Sequence, residues 1–204
     1  ASASKKLVNQ GESDTFLDVA YSQYFRMELE YIKHWDLSLK KVFAFRSFVG
    51  IAIPYGNSNS IPFSRSYFAG GANDIRAWQP YSLGPGKSGG FFDFNEANLK
   101  MTFSTEFRFN VFGQLNAALF ADAGNNWNVF DDVQDEIYTF NGIKSLQDFA
   151  LGTGLGFRYD FSFFVFRVDL GFKTYNPAKL ESEKWFRELN FSKSVLNIGI
   201  NYPF

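Results

Sequence analysis

The feature that most constrains this fold is a strict two-residue alternation of apolar and polar side chains along extended segments. Between residues 99 and 111, one face of the chain reads Leu99, Met101, Phe103, Thr105, Phe107, Phe109, Val111 and the other reads Lys100, Thr102, Ser104, Glu106, Arg108, Asn110. The pattern recurs at 24–35, 41–53, 115–123, 148–160, 163–173 and 196–204. Successive side chains of a strand point to opposite faces, and no segment keeps a helical spacing. The sequence therefore predicts an all-β, antiparallel fold.

The aromatic content indicates what the apolar faces contact. Phe, Tyr and Trp make up 20% of the chain, with 27 Phe among them, yet the mean hydropathy is only −0.19. No stretch approaches the roughly 18 consecutive apolar residues that a membrane-spanning helix needs. The segments also exceed the usual strand length of about 5–6 residues in soluble proteins. These properties favour tilted strands with one face in lipid and a polar face lining a lumen.

Connection lengths favour a membrane barrel over a soluble one. Short and long gaps alternate strictly along the chain: 36–39, 111–114 and 160–163 are short, and 54–97, 124–147 and 174–194 are long. Short periplasmic turns alternate with long extracellular loops in outer-membrane barrels, whereas a soluble sandwich has no reason to keep its long loops at one end. A soluble lipid-binding barrel remains the alternative fold, and it would partition into buffer without detergent.

The strand count leaves the size of the barrel open. Seven strands are clear, and closed single-chain bacterial barrels have even strand numbers. Either residues 10–22 contain a short eighth strand, for which Phe16 to Tyr21 are suited, or the chain is the C-terminal part of a larger barrel. We expect an N-terminal segment at 1–22 and a transmembrane β-barrel domain at 23–204, with the long loop 54–97 folding inward.

Charge and rare residue types exclude several functions. Lys and Arg number 20 against 21 Asp and Glu, so the chain lacks the basic excess of a nucleic-acid-binding surface. Cysteine is absent, which excludes thiolate metal sites and cysteine nucleophiles, and His34 is the single histidine. We therefore expect no catalytic residue, no metal site and no cofactor.

Three segments resemble a known family. They read Phe68-Ala69-Gly70-Gly71-Ala72-Asn73-Asp74-Ile75-Arg76-Ala77-Trp78, then Thr105-Glu106-Phe107-Arg108-Phe109, then Leu119-Phe120-Ala121-Asp122-Ala123-Gly124-Asn125-Asn126-Trp127. In this order they resemble the sixth extracellular loop, the following strand and a strand end of the BamA/TamA superfamily of outer-membrane assembly barrels, the bacterial surface antigen family. The TamL lipoproteins of the Bacteroidetes are the most similar branch. The family's Val-Arg-Gly-Phe is here Ile-Arg-Ala-Trp, so that Ala77 replaces a glycine. The resemblance implies the C-terminal half of a barrel of about 16 strands.

The same resemblance implies a lock between the long loop and the barrel wall. Alternation places Glu106 and Asp122 inward on adjacent strands, and the arginine fork suits bidentate contacts with carboxylates. In the family the arginine that corresponds to Arg76 holds the loop against such acids. The loop motif is Gly70, Gly71, Ile75 and Trp78. The spacing alone leaves open that Arg76 is solvated and that both acids pair with lumenal Lys or Arg.

The last strand carries a terminal signature. It ends Asn197-Ile198-Gly199-Ile200-Asn201-Tyr202-Pro203-Phe204, and alternation places Tyr202 and Phe204 on its apolar face. Asn197, Gly199, Tyr202 and Phe204 fit the pattern that outer-membrane barrels present to their assembly machinery, which can read an open edge strand by β-augmentation. The alternative is an interfacial aromatic girdle. Pro203 has no N–H and weakens pairing at the strand end.

The implied function is non-catalytic: insertion or translocation of other proteins in the bacterial outer membrane. The partners implied are the lipid bilayer, client outer-membrane β-barrel proteins and a further assembly subunit, with no nucleic acid. Two alternatives come from other classes. One is a small stand-alone pore or surface-binding barrel, and the other is the barrel of a fusion with an upstream secreted enzyme domain.

Overall fold

The computed structural model describes residues 15–16, 19–90, 97–133 and 135–204. Nine β-strands lie within these ranges: β1 Thr15–Phe16, β2 Val19–Ala20, β3 Tyr24–Ser38, β4 Lys41–Pro54, β5 Leu99–Phe112, β6 Leu115–Trp127, β7 Ala150–Asp160, β8 Val165–Tyr175 and β9 Val195–Ile200. Short 3-10 turns occur in the loops at Phe63–Arg65, Gly142–Asp148, Glu181–Glu183 and Phe191–Lys193. In these ranges no helix has the length and apolar character needed to cross a membrane.

Seven of the strands form one antiparallel sheet in chain order, β3 to β9, in which each strand pairs with the next. The prediction of an all-β antiparallel fold is thus confirmed, as is the alternation of short and long connections. The short eighth strand at Phe16 to Tyr21, one of the two alternatives that the sequence left open, does not join this sheet in the described residues. Instead, Thr15–Phe16 pairs with Val19–Ala20 as a separate two-stranded ribbon, and residues 10–14 and 17–18 lie outside the described ranges.

The two faces of the sheet have opposite polarity, and their burial is the reverse of that in a soluble domain. Large apolar side chains are exposed on one face, as with Leu29 at 64% and Ile198 at 64%. From β5 to β8 the other face buries charges almost completely, including Glu106, Asp122 and Asp169. An apolar outer face and a polar interior are what a lipid environment around the sheet requires.

The long connection between β4 and β5 lies on the polar face and contacts every strand of the sheet. At the two edges, Arg26 on β3 donates to the Arg65 carbonyl at 3.1 Å, and Asn197 on β9 donates to the Arg76 carbonyl at 2.9 Å. A single loop can reach all seven strands only if the sheet curls around it. We call this connection, residues 55–98, the plug loop, of which 91–96 lie outside the described ranges.

Candidate functional site

The centre of the plug loop is a compact double turn that presents Arg76 to the sheet. The Gly71 amide donates to the Trp78 carbonyl at 2.8 Å, and the Gly70 amide donates to the Asp74 carboxylate at 2.7 Å. Gly70 and Gly71 have φ values of +99° and +115°, a region that residues with a Cβ rarely adopt. Ile75 and Trp78 flank Arg76 and pack in a buried apolar cluster with Ala69, Ala77, Leu83 and Ala150.

Glycines on the sheet make room for this turn. A Cβ on Gly152 of β7 would lie 2.6 Å from the Cβ of Ala77, and a Cβ on Gly171 of β8 would lie 2.6 Å from the Arg76 carbonyl oxygen. Both distances are far below van der Waals contact. The loop backbone therefore lies directly against the sheet, and Ala77, which stands where the family has glycine, fits because Gly152 faces it.

Arg76 is 1% exposed and bonds to the acids that the sequence singled out. Its Nε and Nη2 donate to the two oxygens of Asp122 at 2.8 Å each, and its Nη1 donates to Glu106 at 2.5 Å. Its backbone N–H also donates to Asp122, at 3.1 Å, and its guanidinium carbon lies 3.6 Å from the centre of the Phe120 ring. Burial by itself lowers the pKa of Arg76, but the charges of Asp122, Glu106 and Asp169 raise that pKa above its usual value. Arg76 is therefore charged at every relevant pH.

Three further arginines and one further acid complete the cluster, and the sequence did not single them out as site residues. Arg158 bridges Glu106 at 2.9 Å and Asp169 at 2.6 Å. Arg108 donates to Glu106 at 2.8 Å, and Arg167 donates to Asp169 at 3.2 Å. Alternation places all four of these side chains on the inner face of their strands, and this pattern could have identified them from the sequence. Four guanidinium groups thus face three carboxylates, which keeps the buried charge close to balanced.

The tip of the plug loop is held from several strands as well. Arg167 on β8 donates to the Ala72 carbonyl at 3.0 Å and to the Asn73 side chain at 2.7 Å. Arg46 on β4 donates to the Asn73 carbonyl at 2.8 Å, and Lys100 on β5 pairs with Asp74 at 2.9 Å. These contacts join the tip of the plug loop to β4, β5 and β8.

The last strand contributes to the same site. The Asn197 amide group donates to the Arg76 carbonyl at 2.9 Å, across 121 positions of the sequence. Gly199 lies against the guanidinium of Arg167, where a Cβ would be only 2.5 Å from Nη2. Two of the four residues predicted as a terminal signature are therefore in contact with the plug loop or with an arginine that holds it.

The expectation that the last strand continues to Phe204 was wrong. β9 ends at Ile200, and Asn201 has a φ of +66°, which turns the chain out of the extended conformation. The Tyr202 and Phe204 rings lie 4.3 Å and 5.6 Å from the guanidinium carbon of Arg108, which also donates to the Phe204 carbonyl at 2.9 Å. Both rings thus face an inward arginine on β5 and do not continue the apolar face, because Arg108 offers them a cation and a donor.

The chain is similar to known proteins both in sequence and in structure. The sequence matches the Omp85 superfamily domain over residues 14–195. It is 33% identical over 112 residues to the outer membrane protein assembly factor BamA of Neisseria meningitidis serogroup B (strain ATCC BAA-335 / MC58), an alignment that covers 48% of this chain and 14% of that protein. The structure is similar to the crystal structure of BamA from Haemophilus ducreyi lacking POTRA domains 1-3, with a TM-score of 0.56 and 15% identity, over 87% of this chain and 34% of that chain. The structural likeness shows the fold, and the chain spans about a third or less of each relative.

Proposed function

The chain belongs to the Omp85 superfamily of the bacterial outer membrane, and from this premise we propose that it is part of a barrel that inserts or translocates other outer-membrane proteins. The proposed clients are outer-membrane β-barrel proteins, the proposed environment is the lipid bilayer, and a further assembly subunit acts with the barrel. No chemical reaction is part of the proposal. A closer relation to the TamL lipoproteins stays a prediction from the sequence.

The observation that carries the proposal is the buried contact of Arg76 with Asp122 and Glu106. An ion pair removed from water is strong only when its geometry is good, and this one has a bidentate fork and a second carboxylate. We propose that it acts as the loop lock, which holds the plug loop against the wall and so maintains the curvature of the sheet around it. A passive pore, the first alternative, needs an open lumen, whereas the plug loop crosses the polar face and contacts all seven strands.

A weak edge is the second element of the proposed mechanism. β9 has six residues, whereas β3 to β6 have between 13 and 15. Any strand that closes the barrel against β9 gains few ladder hydrogen bonds, and the turn at Asn201 ends the ladder early. An edge that is easily opened can instead take up a client strand by β-augmentation.

Strand length also bears on the surrounding bilayer. β9 has six residues, fewer than the roughly 9–11 that a tilted strand needs to cross the hydrocarbon core. A shorter apolar band is accommodated by local thinning of the bilayer, and this lowers the barrier to inserting a client close to β9.

The test is Arg76→Ala in the polypeptide that carries this chain, reconstituted in phospholipid vesicles. We expect client insertion to fall about tenfold or more while membrane targeting is retained, because three buried carboxylates lose their shared cation. The matched control is Arg65→Ala, an exposed arginine of the same loop. Wild-type insertion by Arg76→Ala would refute the loop lock, and an equal loss in Arg65→Ala would show that the effect is not specific to the lock.

A further inference from the structure

The turn between β7 and β8 carries an unusual concentration of aromatic rings for so short a connection. Tyr159, Phe161, Phe163 and Phe164 form a continuous chain of ring contacts, with neighbouring centroids 4.7, 4.7 and 4.8 Å apart. The four residues at 161–164 include three phenylalanines and no charge. We call these four rings the aromatic turn.

The turn is built as a fixed structure. The Phe161 amide donates to the Phe164 carbonyl at 2.9 Å, and the Ser162 amide donates to the Asp160 carboxylate at 2.7 Å. These two bonds close the turn, so the rings are held together by the backbone. Phe163 is nevertheless 85% exposed, and Phe161 is 44% exposed. A rigid apolar tip in water is unfavourable, which points to an apolar environment for it.

The aromatic turn continues a surface that already contacts lipid. Phe157 and Tyr159 lie on the apolar outer face of β7, and Phe166 lies on that of β8. Phe161 lies two residues after Tyr159, and Phe164 lies two residues before Phe166. By alternation both rings therefore continue the outer face of their strands. The rings therefore stand at the end of the lipid-facing surface, on the side of the short turns, which is the periplasmic side in outer-membrane barrels.

The neighbouring short turn has the opposite character. Between β5 and β6 the tip is Gly113-Gln114, and Gln114 lines an open cavity of about 810 Å³ at this end of the sheet. The Asp160 amide donates to the Gln114 carbonyl at 3.1 Å, so the two turns lie at nearly the same level. The tip of the β5–β6 turn thus has no apolar side chain and borders the cavity, although the preceding Phe112 is exposed, whereas the tip of the β7–β8 turn is aromatic.

We propose that the aromatic turn inserts its phenylalanine rings into the periplasmic phospholipid leaflet and anchors the β7–β8 hairpin there. Phenylalanine has no polar group to keep at the water interface, so it seats deeper than Tyr or Trp, at the boundary of headgroups and acyl chains. The anchor lies on the hairpin that pairs with β9, and so it fixes the depth of the strand next to the sheet edge. The proposal depends on the outer-membrane location and is independent of the assembly function.

The absence of cysteine from the chain allows a direct test. Phe163→Cys is labelled with a nitroxide in the polypeptide that carries this chain, with any cysteine outside residues 1–204 replaced by serine, and is reconstituted in phosphatidylethanolamine/phosphatidylglycerol vesicles. Spin relaxation by oxygen and by a water-soluble nickel chelate then measures the depth of the label. The matched control is Gln114→Cys at the adjacent turn.

We expect the label at 163 to be relaxed mainly by oxygen and the label at 114 mainly by nickel. Equal access of nickel to both labels would place the turn in water and overturn the proposal. Exclusion of both reagents at 163 would show that a protein segment covers the turn, which also overturns it. Ser162→Cys, in the same turn, carries the label if the Phe163 variant does not fold, as judged by heat-modifiable migration in gels. None of these results bears on client insertion, so this proposal and the assembly function fail separately.

Discussion

At the scale of single residues, the site depends on the close approach of the loop backbone to the sheet as well as on the charges of its side chains. Arg76 reaches Asp122 and Glu106 because the loop lies against the sheet, with Arg76 facing a glycine of β8 and the next residue, Ala77, facing a glycine of β7. The arginine fork then supplies direction, since two of its nitrogens meet the two oxygens of one carboxylate. The glycines of the sheet and the side chain of Arg76 thus contribute to the same contact between loop and wall.

The first prediction at this scale concerns Gly152. Gly152→Ala places a methyl group 2.6 Å from the Cβ of Ala77, so the plug loop has to shift, and we expect a loss of about 1–3 kcal/mol in the free energy of unfolding. The measurement is urea unfolding in vesicles, followed by tryptophan fluorescence.

Ala77→Gly gives the matched control because it removes the atom with which the new methyl group collides. The remaining neighbours of that methyl group, Ala77 N and a ring atom of Trp78, are at 3.5 Å, an ordinary contact. The double variant should therefore recover most of the lost stability. If it is as unstable as Gly152→Ala alone, the contact between β7 and the loop is not the cause.

At the scale of elements, β9 is attached to the molecule by two different means. Its ladder to β8 runs from Val195 to Ile200, and its Asn197 side chain bonds to the Arg76 carbonyl in the plug loop. A short ladder alone holds a strand weakly, so the Asn197 bond, like the contacts of Arg108 with the residues that follow β9, helps to keep β9 in place. The plug loop is thereby coupled to the strand at the edge of the sheet.

The element-scale prediction is that Asn197→Ala loosens β9 specifically. Loss of the amide group leaves the buried Arg76 carbonyl without this donor, which costs about 1–3 kcal/mol. Hydrogen exchange followed by mass spectrometry should show faster exchange in 195–200, by roughly tenfold for each 1.4 kcal/mol, and little change in β5.

Asn116→Ala is the control for that experiment. Asn116 is also an asparagine of the inner face, but its bonds are to Asn110 and Gln114 around the β5–β6 turn. We expect exchange in β9 to be unchanged by it. Equal exchange of β9 in wild type and Asn197→Ala would mean that the Asn197 bond does not hold the strand.

At the scale of the whole molecule, polarity is inverted: charges lie inside the curved sheet and apolar side chains outside it. Because of this inversion, the solvent exposure of a side chain in the protein without lipid does not indicate how strongly its substitution lowers the free energy of unfolding. Leu155, at the middle of β7, is 41% exposed, and its neighbours across the sheet are Leu119 and Leu170. In a soluble domain such a leucine tolerates a charge, whereas in this membrane protein it contacts acyl chains.

The prediction at this scale concerns the substitution Leu155→Arg. We expect a loss of about 2–4 kcal/mol in the free energy of unfolding in vesicles, the cost of an arginine near the bilayer midplane. Leu180→Arg is the control, because Leu180 is 73% exposed in the loop between β8 and β9, outside the spanning strands. Equal stability of the two variants would mean that β7 does not face lipid.

Features that depend only on neighbouring residues could be predicted from the sequence. The pleat of a strand alternates its side chains regardless of the rest of the chain, so alternation predicted the seven strands of the sheet, their inner and outer faces, and the inward direction of Glu106 and Asp122. Adjacent antiparallel strands joined by a short turn also have their partners set by that turn, which is why these two acids could be expected close together.

Features that depend on the path of the plug loop and on the curl of the sheet could not be predicted, because they require the folded chain. The contact of Asn197 with Arg76 spans 121 positions, and Arg158 joins acids on β5 and β8 that no short turn connects. The inward turn after Ile200, at the end of β9, likewise depends on Arg108, which lies four strands away on β5. Such contacts form when a curved sheet encloses a loop, and a repeat of two residues carries no information about which distant positions the curvature brings together.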